Sequence, residues 1–290
     1  MVALFAIGAA FFFGFSDFLI RVGLRYSNAR SAVLFSMVSG LLAPLIISLF
    51  TVPLKLFANS AAVYFILSGL IGPFIARYLL YVGIERVGVS IAIPLANMRP
   101  LFGAIIAVVI LGEELTLSIA GATLLIMTGA GAISSERSGG QIERQWSRRD
   151  LIFPILASFF YGLAYVIRKL GMNTLPEPLV AVVLQNAAAL LFLLLIAPVP
   201  GQRQSMDWRN TRAWLIFSMA GLAAFIAHYC IFYALDLGQV VIIAPLVALN
   251  PFFSLLLTGV FLRMVERVTW KIVLGSIFIV GGTVVLTMLS

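Results

Sequence analysis

Cysteine and histidine are almost missing: Cys230 and His228 are the only ones in 290 residues. A lone cysteine cannot close an intrachain disulfide or build a thiolate metal site, and a lone histidine excludes a histidine-rich zinc centre. Charge is also scarce. Asp, Glu, Lys and Arg make up 10% of the chain and apolar residues 62%, with mean hydropathy +1.11. A soluble domain is roughly half apolar and a quarter charged, so this composition describes an integral membrane protein. Strict apolar/polar alternation is missing, which argues against a transmembrane β-barrel. No Walker loop, HExxH or GxSxG stands in the chain, so it encodes neither an ATP-driven pump nor those hydrolase designs. No basic stretch precedes the first apolar run; Arg21, Arg25 and Arg30 follow it. That is the reverse of a cleavable signal peptide, and the run is expected to persist as a spanning helix.

What is present is a series of apolar runs, each near the roughly 20 residues needed to cross the hydrocarbon. They cover residues 2–22, 31–51, 61–83, 88–111, 117–134, 151–170, 178–198, 212–235, 239–262 and 269–289. The expected fold is therefore an all-α integral membrane protein of ten transmembrane helices. The polar stretch at 135–150 divides it into a first five-helix repeat, 1–134, and a second, 151–290. AAFFFGFSDFLIR (9–21) matches ASFFYGLAYVIRK (157–169), pairing Gly14 with Gly162. PFIARYLLY (73–81) matches AFIAHYCIF (224–232), setting Arg77 opposite His228 and Tyr78 opposite Tyr229. Five is an odd number of crossings, so the second repeat must be inverted in the bilayer, a recurrent transporter plan.

The net charge of +8 sits mainly in loops. Fourteen of the nineteen Lys and Arg follow odd-numbered helices, and three (Lys55, Arg168, Lys169) are assigned to loops after even-numbered ones. Only Arg77 and Arg99 lie well inside spans; the others stand in loops or at span ends. Anionic lipid headgroups, not nucleic acid, suit this pattern. By the positive-inside rule it sets both termini outside the cytoplasm, in a multi-pass plasma (inner) membrane protein.

The most informative stretch is residues 85–114, where Pro94 and Pro100 interrupt an apolar span and Arg99 lies between them. The second repeat carries Pro245, Asn250 and Pro251 at matching places. Each proline lacks an N–H and frees a carbonyl four residues earlier (Ser90, Ala96, Val241, Val247), and carbonyls at membrane depth need protein, water or ligand partners. Arg99 shares a helical face with Ala92, Ala96 and Gly103, small residues that admit another backbone or leave a cavity. Ionised groups at a span centre cost roughly 2.5–3.5 kcal/mol on insertion scales and face the bundle or a wet cavity. Candidate substrate ligands are therefore Arg99, Arg77, His228 and Asn250, with Asn97, Gln185, Tyr78 and Tyr229 as further polar or aromatic contacts. Asp17, four residues from Arg21, is either a local ion pair or a coupling and gating acid. Glu113 and Glu114, in a turn, are expected to favour the dipole of the helix that follows. Gly121, Gly129, Gly131, Gly281 and Gly282 put small faces on the fifth and tenth helices, suited to packing or dimerisation.

The segment LYVGIERVGVSIAIPLANMRPLFGAIIAVVILGEELTLSIAGATLLIMTGAGA and its weaker echo FYALDLGQVVIIAPLVALNPFFSLLLTGVFLRMVERVTWKIVLGSIFIVGGTVV resemble the EamA-type carriers of the drug/metabolite transporter superfamily. The resemblance implies a secondary carrier with a central cavity between its halves, packing or dimer roles for helices five and ten, and export of amino acids or other metabolites. The second copy departs from the LGE turn, reading LRMVERVT. With Arg77 and Arg99 against one deep acid, the expectation is a secondary active exporter or exchanger of small anionic or zwitterionic metabolites, by alternating access. Its partners would be a small-molecule substrate, the bilayer, and a coupling proton or counter-substrate, in a monomer or homodimer without cofactor. The alternatives are a proton-coupled exporter of cationic drugs using Asp17, and a membrane-embedded enzyme or scaffold subunit. The second lacks paired acids or a Ser–His pair.

Overall fold

The structure is a computed structural model and describes residues 1–136, 147–196, 210–262 and 270–289. Much of the 135–150 stretch, Glu266, and several loop bases (Arg137, Arg144, Arg203, Arg209, Arg263 and Arg267) lie outside the described residues. The protein is all-helical and crosses the membrane ten times. Among the described residues eight helices are long and apolar enough to span, and two shorter apolar ones, Leu117–Ala132 and Leu274–Met288, complete the ten.

In chain order α1 is Val2–Gly23, α2 Ala29–Thr51, α3 Ala62–Gly69, α4 Arg77–Val87, α5 Val89–Ala96, α6 Arg99–Leu111 and α7 Leu117–Glu136. The second half continues with α8 Ile152–Thr174, α9 Pro178–Ile196, α10 Thr211–Leu237, α11 Val240–Val247, α12 Asn250–Leu262 and α13 Trp270–Met288. The α3–α4 pair is one crossing, and α5–α6 and α11–α12 form the two broken ones.

The prolines act unequally on the broken crossings. Pro94 and Pro245 lie inside α5 and α11. Pro100 and Pro251 sit in the first turn of α6 and α12, where a missing N–H costs nothing. Each break therefore falls just before them, at residues 97–98 and 248–249, and opens a new helix start within the crossing. The third crossing holds a feature the hydropathy does not announce: residues Leu70–Ala76, around Gly72 and Pro73, form a π-helical turn between α3 and α4.

The halves interlock. Helix α1 packs against α10 and α12, while α8 packs against α3, α4 and α6, so each repeat's first helix lies on the other repeat. The matched glycines explain how. A β-carbon at Gly14 would come within 2.8 Å of the Asn250 carbonyl oxygen, and one at Gly162 within 3.0 Å of the Arg99 carbonyl oxygen. Each glycine lets its helix meet the opening turn of the other repeat's broken helix. The fifth and tenth crossings pair by the same rule: Gly129 of α7 abuts Gly275 and Ile279 of α13, and Gly282 of α13 abuts Ala122 and Ile126 of α7. These two glycines serve packing within one chain, while Gly121, Gly131 and Gly281 meet nothing within 4 Å.

Glu113 has a structural role, but toward a different helix from the one its position in the turn suggests. Gly112 closes α6 in the left-handed region (φ 69°). That turn sends the Glu113 carboxylate across to the other repeat, where it accepts from Val240 N–H and Val241 N–H at 2.9 Å each. It thereby caps α11, not α7, and satisfies two of the donors that a helix start leaves open.

Candidate functional site

The two helix starts meet at the junction of the halves. Arg99 opens α6 and Asn250 opens α12, and Arg99 Nη2 donates to Asn250 Oδ1 at 3.0 Å. Repeat counterparts 151 positions apart thus touch each other directly. The remaining Arg99 valences are not exhausted. Its Nε is buried without a hydrogen-bond partner, and its guanidinium carbon stands 5.8 Å from the Tyr161 ring centroid. Asn97, in the turn between α5 and α6, is buried beside this junction.

Arg77 opens α4 immediately after the π-helical turn, with the Tyr161 hydroxyl beside its guanidinium and Asp17 in its electrostatic surroundings. Asp17 projects from α1 with an exposed side chain. His228, the repeat counterpart of Arg77, meets Phe13 edge-on at 5.0 Å. Phe13 is in turn the counterpart of Tyr161. The same architectural pair is therefore cationic and polar in one half, and neutral and apolar in the other. His228 Nδ1 lies 2.9 Å from the Ala224 carbonyl oxygen. A carbonyl only accepts, so the proton belongs on Nδ1 and leaves Nε2 as an acceptor.

Not every expected residue joins this group. Tyr78 is 61% exposed on the outer surface of α4. Tyr229 lines a separate cavity of about 370 Å³ with Ile47, Thr51, Leu179 and Phe225. Gln185 is fully buried and engaged elsewhere: its Oε1 accepts from Arg168 Nε at 2.7 Å and from Ser68 Oγ at 3.2 Å. This corrects the placement of Arg168 in a loop. The residue lies inside α8, 6% exposed, because Gln185 and the rings of Tyr165 and Phe232, 5.3 and 5.9 Å away, give its guanidinium a place within the protein. Lys169 is likewise helical, its Nζ donating to the Leu235 carbonyl at 2.6 Å.

Sequence reasoning thus missed Tyr161, Tyr165 and Arg168, which share one face of α8 at spacings of four and three residues. A polar face in an otherwise apolar helix was a readable signal, obscured by the position of Arg168 next to Lys169. Chemically, the arrangement sets three guanidinium groups (Arg77, Arg99, Arg168) around two phenols, with Asn250 and His228 opposite. Such a constellation offers many donors and excess positive charge, properties that suit an oxyanion.

Comparison with known proteins gives the same picture at the level of the whole chain. An archaeal protein from Archaeoglobus fulgidus, described as an uncharacterized transporter, is 22% identical over 99% of this chain and 97% of its own length. A solved crystal structure, 17% identical, superposes with a TM-score of 0.81 over 99% of this chain and 96% of that one, and shares the fold. The profile of the EamA-like transporter family matches residues 1–135 and again 149–288. On that match, covering both halves in turn, the chain belongs to the EamA-like transporter family and is a multi-pass membrane transporter.

Proposed function

We propose that this transporter is a secondary active exporter or exchanger of small anionic or zwitterionic metabolites, such as amino acids, working by alternating access at the junction of its two halves. The observation that carries the reading is the Arg99–Asn250 hydrogen bond between the two broken helices. It joins the two broken helices directly, through a guanidinium that retains a buried, unpartnered donor. An incoming carboxylate or phosphate oxygen would compete for that guanidinium and weaken the tie, so that substrate binding and release of the halves become one event. Arg77 holds the same anion from α4, the Asn250 amide N–H adds a donor, His228 accepts through Nε2 from the ammonium group of a zwitterionic substrate, and Asp17, in the surroundings of Arg77, couples or gates. A transporter that uses one binding event to free the junction needs no cofactor, only a gradient or a counter-substrate.

The deciding test is counterflow in proteoliposomes with a metabolite library, on wild type, Arg99→Ala and Asp17→Asn. Normal exchange by Arg99→Ala would sink the assignment. Transport of lipophilic cations that depends on Asp17 and ignores Arg99 would establish the cationic-drug reading in its place. The loop-charge bias supports both termini outside the cytoplasm of an inner-membrane protein.

A further inference from the structure

The α8 face that carries Tyr161 and Tyr165 continues to Arg168, which the transport reading has not used. Among the described residues no carboxylate pairs with Arg168. One hydrogen bond, to Gln185, and two ring contacts are what its guanidinium makes, an incomplete compensation for a charge that is 6% exposed. Gln185 sharpens the imbalance. Its Oε1 is taken by Arg168 and Ser68, and its Nε2 is buried with no partner. The amide cannot be turned round to relieve this, because Arg168 Nε only donates and would then face an NH₂ group. The surroundings of Arg168 therefore hold an excess of donors and lack an acceptor. Beside it runs the π-helical turn Leu70–Ala76, where a β-carbon at Gly72 would come within 3.3 Å of Arg168 Nη2. Single π-turns of this kind recur at functional sites.

We propose that Arg168 and Gln185 form a second oxyanion subsite, and that the transported substrate carries two acidic groups, one held by Arg99 and Arg77 and the other by Arg168 and Gln185. The proposal rests on the anion-transport reading and narrows it to a dicarboxylate or a phosphorylated acid. Tyr161 lies beside Arg99 and Tyr165 beside Arg168. Four helical residues rise about 6 Å, so the two subsites are separated on the scale of the acid groups in a short diacid. The charges agree: of the three guanidinium groups only Arg77 has a carboxylate, Asp17, in its surroundings, and a substrate with a single negative charge leaves an excess that a dianion removes.

The test uses probes that differ by one acidic group: succinate against butyrate, and phosphoserine against serine. Each is applied to the purified full-length protein in thermal melts and in counterflow. We expect succinate and phosphoserine to bind about tenfold to a hundredfold more tightly than their partners, the worth of one charge-assisted contact. The decisive variant is Gln185→Glu, which supplies Arg168 with its own carboxylate while keeping size and shape. It should fold and melt at least as well as wild type, keep any butyrate or serine binding, and lose the preference for the second acid group. If Gln185→Glu retains that preference, Arg168 is only structural and the subsite is refuted. If wild type shows no preference while Arg99→Ala still abolishes exchange, the subsite is refuted and the anion-transport reading stands. If no probe responds and Arg99→Ala transports normally, that reading falls as well. Stabilisation by inorganic phosphate that depends on Gln185, without any preference for diacids, would overturn the two-group substrate in favour of a separate ion site.

Discussion

At the scale of single residues, the proposed function turns on what neutralises Arg99. Its partner Asn250 is neutral, so the pair is a hydrogen bond and not an ion pair, weak enough for a substrate anion to replace. Asn250→Asp should therefore fold well, since it gives Arg99 a counter-ion, and should raise the melting temperature in detergent. It should also lower counterflow about tenfold or more, because the aspartate occupies the place of the substrate anion. Arg99→Lys is expected to fall well short of wild type, as an ammonium has no planar fork to share between Asn250 and an oxyanion. Among the candidate residues, Arg99, Asn250, Arg77 and His228 could be read in advance because the repeat pairs them. Tyr78 and Tyr229 were singled out by the same symmetry, yet Tyr78 lies on an outer face and Tyr229 lines a separate cavity: aligned positions say which residues correspond, not which way a helix turns its sides.

At the scale of the elements, the broken crossings are held in place by the other repeat. Glu113, just beyond the end of α6, caps α11 at the start of the other broken crossing. Glu113→Ala leaves two buried N–H groups without a partner and should destabilise the protein by about 3 kcal/mol, read as a drop in melting temperature, with Glu113→Gln intermediate. Gly162→Ala forces a β-carbon against the opening turn of α6 and should impair folding or expression, whereas Gly121→Ala, with open space around it, should be neutral or slightly stabilising. Parallel expression and melting measurements on these variants check both statements. The π-helical turn of the third crossing was not legible in advance: Gly72 and Pro73 mark a disturbance, but hydropathy does not say whether a proline kinks, ends or widens a helix.

For the molecule as a whole, the interlocked halves make a pseudo-twofold scaffold with unlike contents. Arg77 beside Tyr161 answers to His228 beside Phe13, and Arg99 answers to Asn250. Symmetric helices would give the two conformations of the proposed alternating access comparable packing, and asymmetric side chains place charge on one side only. Orientation is testable because the chain has a single cysteine. In a Cys230→Ser background, a cysteine at Asn59, after the second crossing, should react with an impermeant maleimide on intact cells. One at Arg86, after the third, should not. The reverse pattern would place the termini in the cytoplasm. Removal of Arg168 and Lys169 from the loop count leaves Lys55 alone in the loops expected to face outward, and sharpens this expectation.

The sequence by itself determined the all-helical membrane fold, the ten crossings and the duplication, because span length, hydropathy and recurring glycines and prolines are local properties that each segment carries with it. It also showed where the broken helices lie and that Arg99 and Asn250 correspond. Only the tertiary structure decided that these two residues touch, that Glu113 caps a helix 127 positions away, and that Arg168 is buried against Gln185 and, through it, Ser68. The reason is physical. A charged side chain enters the interior only where distant segments supply its partners, and those partners are assembled by packing between the halves, which no single stretch of chain contains.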